Sequence, residues 1–160
     1  MKNILLSAIV TASFFVLSAH AQEPKEAAAA AAVAIEPSIL KELKSVWQNQ
    51  LGSTLEIRQV DPATGQISGT YKSPSGTAGT EFPMIGWVNY SAPADKKDNV
   101  IVVSFSVRWG QYGSVTAWNG FYKLLDGKPT IVGQWLLVRS NSDFSWDHTL
   151  TGLDTFHPVK

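Results

Sequence analysis

The sequence is marked first by what it lacks. Its 160 residues contain no cysteine, which excludes a disulfide framework, a cysteine-ligated zinc site and a thiol nucleophile. Only three histidines are present, at widely separated positions, so a histidine-rich metal site is not expected. The 13 basic side chains are matched by 13 acidic ones, and this lack of a basic excess argues against general binding to nucleic acid or to an anionic membrane.

Long apolar runs are also missing after residue 21, so no later segment is expected to span a membrane. Residues 1–21, by contrast, do contain an apolar run. A short positive start is followed by an apolar stretch from Ile4 to Leu17 and by the small-x-small pattern Ala19-His20-Ala21. This pattern predicts a secretory signal peptide over residues 1–21, and therefore a secreted protein, either extracellular or periplasmic.

Residues 22–45 contain an alanine run from Ala27 to Ala32, which is bracketed by Pro24 and Pro37. An isolated helix this short is marginal in water, so the segment is interpreted as a flexible tail in which a short helix could form. The working domain is then predicted over residues 46–160. It contains all six tryptophans of the chain.

Apolar residues alternate with polar ones along most of this domain, which is the period expected of strands with one buried face. The first such stretch, Val46 to Arg58, is interpreted as one strand. Further stretches are predicted at 67–73, 82–90, 100–109, 114–120, 131–137 and 150–156. The facing of 82–90 stays open because Pro83 interrupts it. Short, evenly spaced strands with hairpin-length links, such as Asp126-Gly127, predict an all-β fold: an eight-stranded antiparallel up-and-down β-barrel.

Polar residues recur on the face that is predicted to be buried. The seven are Asn49, Ser53, Tyr71, Ser73, Ser114, Thr116 and Asp154. A buried polar group without a partner costs about 2 kcal/mol or more, so their recurrence favours a cavity with a ligand, which small eight-stranded barrels can hold. The alternative is that one facing assignment has slipped by a residue.

Five segments of the domain carry a resemblance. They are WQNQLGSTLEI from Trp47, SGTYKS from Ser68, GSVTAWNG from Gly113, QWLL from Gln134 and LTGLDTF from Leu150. In this order and with this spacing they resemble the avidins, the biotin-binding proteins that include streptavidin. The resemblance covers nearly all of the domain and implies non-catalytic, high-affinity binding of biotin in a barrel cavity, with no cofactor and no metal.

The resemblance also implies a role for each matching residue at the ureido end of biotin. Asn49, Ser53 and Tyr71 match the three donors to the ureido oxygen. Ser73 and Asp154 match the acceptors for its two N–H groups. Three donors around one oxygen would draw electron density onto it, as an oxyanion hole does.

The rest of biotin is matched by further residues. Thr116 corresponds to the hydroxyl that faces the thioether sulfur. The walls and the apolar remainder correspond to Trp109, Trp118, Trp135, Leu51 and Leu137. Ser114 and the loop Ser75-Gly76-Thr77 correspond to the partners of the valerate carboxylate, although the link from Trp109 to Ser114 is shorter than in the best-known avidins. Trp146 corresponds to the tryptophan that each subunit lends to a neighbour, which implies a homotetramer, with a dimer possible.

Two other classes of protein are weighed against this. A lipocalin-like carrier of a small apolar ligand is also a secreted eight-stranded barrel, and Gly133-Gln134-Trp135 spells its G-x-W motif. Lipocalins carry that motif on the first strand, however, and an apolar ligand would not need the clustered polar groups. A hydrolase triad could use Asp147-His148, but adjacency in sequence says nothing about geometry. We therefore expect no enzyme activity.

Overall fold

The computed structural model describes residues 37–75, 77, 79–89 and 98–159. The predicted signal peptide, residues 1–21, lies outside this part of the chain, as do residues 22–36 of the predicted tail and Gly76 of the predicted loop. Within the described residues, no helix is long and apolar enough to cross a membrane.

Eight antiparallel strands form a closed barrel in which each strand pairs with the next and the last pairs with the first. The strands are β1 (Val46–Asn49), β2 (Thr54–Val60), β3 (Gln66–Lys72), β4 (Glu81–Asn89), β5 (Ile101–Arg108), β6 (Ser114–Leu125), β7 (Lys128–Arg139) and β8 (Thr149–Pro158). The predicted all-β, up-and-down barrel is therefore confirmed. Because the barrel is closed, its eight strands leave no unpaired sheet edge.

The interpretation of Val46–Arg58 as one strand is wrong, because the chain reverses after Asn49. The Asn49 side-chain oxygen Oδ1 accepts hydrogen bonds from the backbone N–H of Leu51 at 3.0 Å and of Ser53 at 2.8 Å. Gly52, with a φ of 81°, takes the left-handed conformation that the reversal needs. Asn49 and Ser53 are both buried, whereas Leu51 between them in the turn is 69% exposed.

The facing that Pro83 left open is settled in β4. Phe82, Met84 and Val88 are buried inside the barrel, whereas Ile85 and Trp87 lie on its outer surface. The inward side chains of the other strands complete one continuous core. Phe105 stacks on Trp118 with ring centres 4.8 Å apart, and aromatic rings thus fill the interior next to the polar residues discussed below.

A short helix, α1 (Pro37–Leu43), precedes the barrel and packs against its core. Leu43 is fully buried, and its carbonyl oxygen accepts a hydrogen bond from the Trp47 indole at 3.2 Å. Glu42 accepts a hydrogen bond from the Tyr122 hydroxyl, and burial, together with this contact, raises the pKa of Tyr122. The helix belongs to the segment assigned to the tail, so the packed unit begins before Val46.

Candidate ligand-binding site

One end of the barrel contains a cavity of about 340 Å³. It is lined by Asn49, Leu51, Ser53, Tyr71, Ser73, Ser75, Thr77, Trp109, Tyr112, Ser114, Thr116, Trp118, Trp135, Leu137 and Asp154. All residues of the site predicted from the sequence are in this list except Gly76, which lies outside the described residues, and Trp146. Residues from five strands and three links therefore converge on one volume of small-ligand size.

Burial changes along the cavity and defines a floor and a mouth. Asn49, Ser53, Tyr71, Thr116 and Asp154 are all buried and form the floor. At the mouth, Leu51 is 69% exposed and Tyr112 is 43% exposed. A ligand would therefore meet polar groups that are shielded from water at one end and groups in contact with water at the other.

The carboxylate of Asp154, on β8, is the centre of the floor. Its Oδ1 atom accepts a hydrogen bond from Asn49 Nδ2 at 3.0 Å, and its Oδ2 atom accepts one from the Trp118 indole at 2.9 Å. Asp154 is only 3% exposed. Charge-assisted hydrogen bonds of this kind make a buried carboxylate tolerable and fix its orientation.

Gln50 supports this carboxylate and was missed by the sequence analysis. Its Nε2 atom lies 3.3 Å from Asp154 Oδ1 and donates to the Leu153 carbonyl at 2.9 Å, while its Oε1 atom accepts from the Thr155 N–H at 2.9 Å. The side chain therefore ties the β1–β2 turn to β8. It occupies an outward position in the period-two pattern, which carries no signal for such a role.

Tyr71 and Ser53 lie beside Asp154. Burial raises the pKa of Tyr71, the negative charge of Asp154 raises it further, and a hydrogen bond with the Ser53 side chain opposes the rise. The phenol therefore keeps its proton at neutral pH and can act as a hydrogen-bond donor. Asn49 is fixed as well, because its Oδ1 atom is committed to the two backbone N–H groups of the turn.

Tryptophan rings form the walls. The Trp109 indole donates to the Thr116 hydroxyl at 2.7 Å, and its ring meets Tyr71 edge-on with centres 5.7 Å apart. Trp135 passes over Gly152, where a Cβ would lie 2.4 Å from Cζ2 of the indole, so only glycine leaves room for the ring. The walls are therefore rigid and need little ordering when a ligand binds.

The loop after β3 is folded back on itself at the mouth. The Ser73 hydroxyl donates to the Ser75 carbonyl at 2.9 Å, and the Thr77 hydroxyl donates to the Ser73 carbonyl at 2.8 Å. Thr77 is buried, whereas Ser75 is exposed. The described residues of this loop thus present short hydroxyl side chains at the rim of the cavity.

Trp146 does not line the cavity of its own chain. It is 77% exposed and stacks on Phe144, with ring centres 5.2 Å apart and an interplanar angle of 16°. Both lie in the β7–β8 loop, which Arg139 holds through a hydrogen bond from Nε to the Asp147 carbonyl at 2.9 Å. The loop therefore presents an apolar aromatic pair to the solvent.

The residues considered for a hydrolase triad serve the same loop. The Asp147 carboxylate pairs with Arg139, and His148 Nδ1 lies 2.9 Å from the Arg139 carbonyl. Neither residue is among those that line the cavity. In the described part of the chain, moreover, no group of three His, Asp or Glu side chains is arranged to hold a metal ion.

Comparisons with known proteins identify a family and similar structures. A family model described as "Avidin family" matches residues 38–159, a range that includes most of α1. The crystal structure of bradavidin is similar, with a sequence identity of 29% and a TM-score of 0.62. The match covers 73% of this chain and 80% of that chain. The crystal structure of core-bradavidin is 30% identical, with a TM-score of 0.59 over 72% of this chain and 98% of that chain.

Proposed function

This chain belongs to the avidin family, and from that premise we propose that it binds biotin, without catalysis, in the cavity of the barrel. The observation that carries the proposal is the floor of the cavity. A buried carboxylate, Asp154, lies there beside the donors Asn49 and Tyr71, and the bicyclic head of biotin requires both kinds of group.

The ureido group of biotin has one carbonyl oxygen and two N–H groups. Tyr71 keeps its proton at neutral pH, so it donates to the carbonyl oxygen together with Ser53 and Asn49. One Nδ2 proton of Asn49 is used by Asp154, and the second serves the ligand. Asp154 and the Ser73 hydroxyl oxygen accept from the two N–H groups. Each polar atom of the ligand then has a partner in a site shielded from water.

The remainder of the ligand lies along the apolar walls. Thr116, whose hydroxyl accepts from the Trp109 indole, faces the sulfur atom. The aliphatic chain runs between Trp135, Leu51 and Leu137 toward the mouth. The carboxylate ends beside Ser114 and the loop of residues 75–77. No metal or cofactor is needed for this binding.

An apolar ligand of the lipocalin kind fits this floor poorly. It would offer no partner to the second Nδ2 proton of Asn49, which Asp154 does not use. A buried donor left without a partner costs about 1–3 kcal/mol. The polar floor therefore favours biotin over the lipocalin-like alternative.

We further propose that the protein assembles as a homotetramer, or as a dimer, and that Trp146 of each subunit covers the cavity of a neighbour. Two features support this proposal. Trp146 is exposed in its own chain, and the outer face of β6–β8 exposes four large aliphatic side chains by 47–60%: Val115, Leu136, Val138 and Leu153. A contiguous apolar face of this kind is typical of an interface. Residues 1–21 would direct export before assembly.

Retention on immobilised biotin tests the function. We expect the exported protein to bind a biotin matrix, to elute with free biotin, and to pass through the same matrix without biotin. Because a ligand that binds only the folded state stabilises it by RT ln(1 + [L]/Kd), biotin at a hundredfold excess over Kd should add about 2.7 kcal/mol. Folded protein that flows through the biotin column and melts at an unchanged temperature would refute the proposal.

A further inference from the structure

The short link between β5 and β6 contains Tyr112, which lines the cavity and was given no role from the sequence. Its residues Gly110–Tyr112 form one 3₁₀ turn, with the Tyr112 N–H donating to the Trp109 carbonyl at 3.0 Å. Gly113 follows at a φ of 63° in the left-handed region, and its carbonyl oxygen accepts from the Ser140 N–H at 2.8 Å. The link is therefore tied at both ends and leaves Tyr112 at a defined point of the rim.

The ring of Tyr112 is also held by its neighbours. It meets Phe82 edge-on at 6.1 Å, and Phe82 in turn meets Trp109 at 5.3 Å. A tyrosine ring has only two side-chain torsions, so these contacts restrict it further. Its 43% exposure is consistent with one edge on the cavity and the other in water.

The charges of the residues that line the cavity give Tyr112 its chemical role. Asp154 is the only acidic residue among the described residues that line the cavity, and it lies at the floor. The described lining residues include no lysine or arginine that could pair with an anionic ligand end. The available partners at the mouth are neutral hydroxyls, chiefly those of Ser75, Ser114 and Tyr112. In the described part of the chain, the Tyr112 phenol oxygen has no hydrogen-bond partner.

We propose that Tyr112 is a specificity-determining residue, whose phenol hydroxyl donates to the carboxylate of the bound ligand and makes the site prefer free biotin over its esters. The proposal rests on the proposed function. A phenol is more acidic than the alcohols of serine and threonine, so it is the strongest neutral donor at this rim. A hydrogen bond to a carboxylate is roughly twice as strong as one to a neutral acceptor, so esterification of the ligand removes about half of the strength of this bond.

The experiment compares two ligands, biotin and biotin methyl ester, on the wild-type protein and on Tyr112→Phe. This substitution removes one oxygen and keeps the ring against Phe82. We expect the affinity for biotin to fall about tenfold, as for the loss of one hydrogen bond to a charged group that is partly in water. The affinity for the methyl ester should fall by a smaller factor, because its carbonyl is a neutral and weaker acceptor, so the preference for the acid decreases.

Tyr122→Phe is the matched control, because it also removes one phenol oxygen, but from a hydroxyl that donates to Glu42 and does not line the cavity. It should leave the acid-to-ester ratio as in the wild type. Tyr112→Leu should weaken both ligands, since it removes the ring as well. A Tyr112→Phe variant that weakens both ligands equally, or neither, would overturn the assignment. If the wild type retains neither ligand, the biotin proposal itself fails, which is a separate and distinguishable result.

Discussion

Among single residues, Asp154 is the one whose replacement we expect to weaken ligand binding most. Replacing it with alanine leaves the Asn49 amide and the Trp118 indole without their acceptor and deprives one ligand N–H of its partner. We expect Asp154→Ala to weaken biotin binding by about 3 kcal/mol, a factor of more than a hundred, measured as a faster dissociation rate. Asp98→Ala is the control, since Asp98 lies on the surface and pairs with Lys123 at 2.6 Å. A wild-type rate for Asp154→Ala would mean that the ligand binds elsewhere.

Without the family resemblance, a residue of the site could be predicted from the sequence only where it lies in the period-two pattern of a strand. Asn49, Tyr71 and Asp154 lie on strands or at their ends, so alternation alone assigned them to the inner face, where they line the cavity. Tyr112 lies in a 3₁₀ turn, whose direction is set by the left-handed glycines that flank it and not by any period. Its place at the rim could be seen only from the backbone. The ligand contacts assigned to all these residues stay predictions.

Among the elements, α1 gives the clearest test of where the packed unit begins. Leu43 is fully buried and lies next to Trp47. We expect Leu43→Ala to lower the free energy of unfolding by about 3 kcal/mol, because it deletes buried methyl groups and leaves a cavity. Lys41→Ala, at an exposed position of the same helix, is the control and should change little. The measurement is the midpoint of denaturant unfolding. Equal midpoints for the two variants would mean that the helix contributes nothing to the core.

At the scale of the elements, two features of the sequence misled the prediction of where helices and strands begin and end. The alanine-rich composition of residues 22–45 indicated a tail, although Ile39, Leu40 and Leu43 have the spacing of one helical face and do pack on the core. The alternation in the sequence runs from Val46 to Arg58, although the chain reverses between the buried residues Asn49 and Ser53. Alternation determined the facing of these strands correctly but could not show where one ended and the next began.

For the whole molecule, the closed barrel explains why assembly would matter to binding. The barrel covers a ligand from all sides except the mouth, where Leu51 and Tyr112 remain exposed. Among the described residues, the chain's own Trp146 is not one of those that line this opening. An aromatic side chain from a second copy would complete the enclosure and bury apolar area on both partners.

This reasoning predicts that Trp146→Lys speeds biotin release and loosens the assembly while the barrel itself stays folded. The exposed indole makes its described ring contact only with Phe144, so its loss should leave the thermal unfolding of the isolated chain unchanged. Trp87→Lys is a matched control, because Trp87 is also a largely exposed tryptophan, at 55%, but lies on the outer face of β4. Dissociation kinetics and light scattering measure the two effects. If Trp146→Lys has the wild-type release rate and the wild-type mass, the neighbouring subunit does not use this side chain, and the mouth must be covered by the chain's own loops.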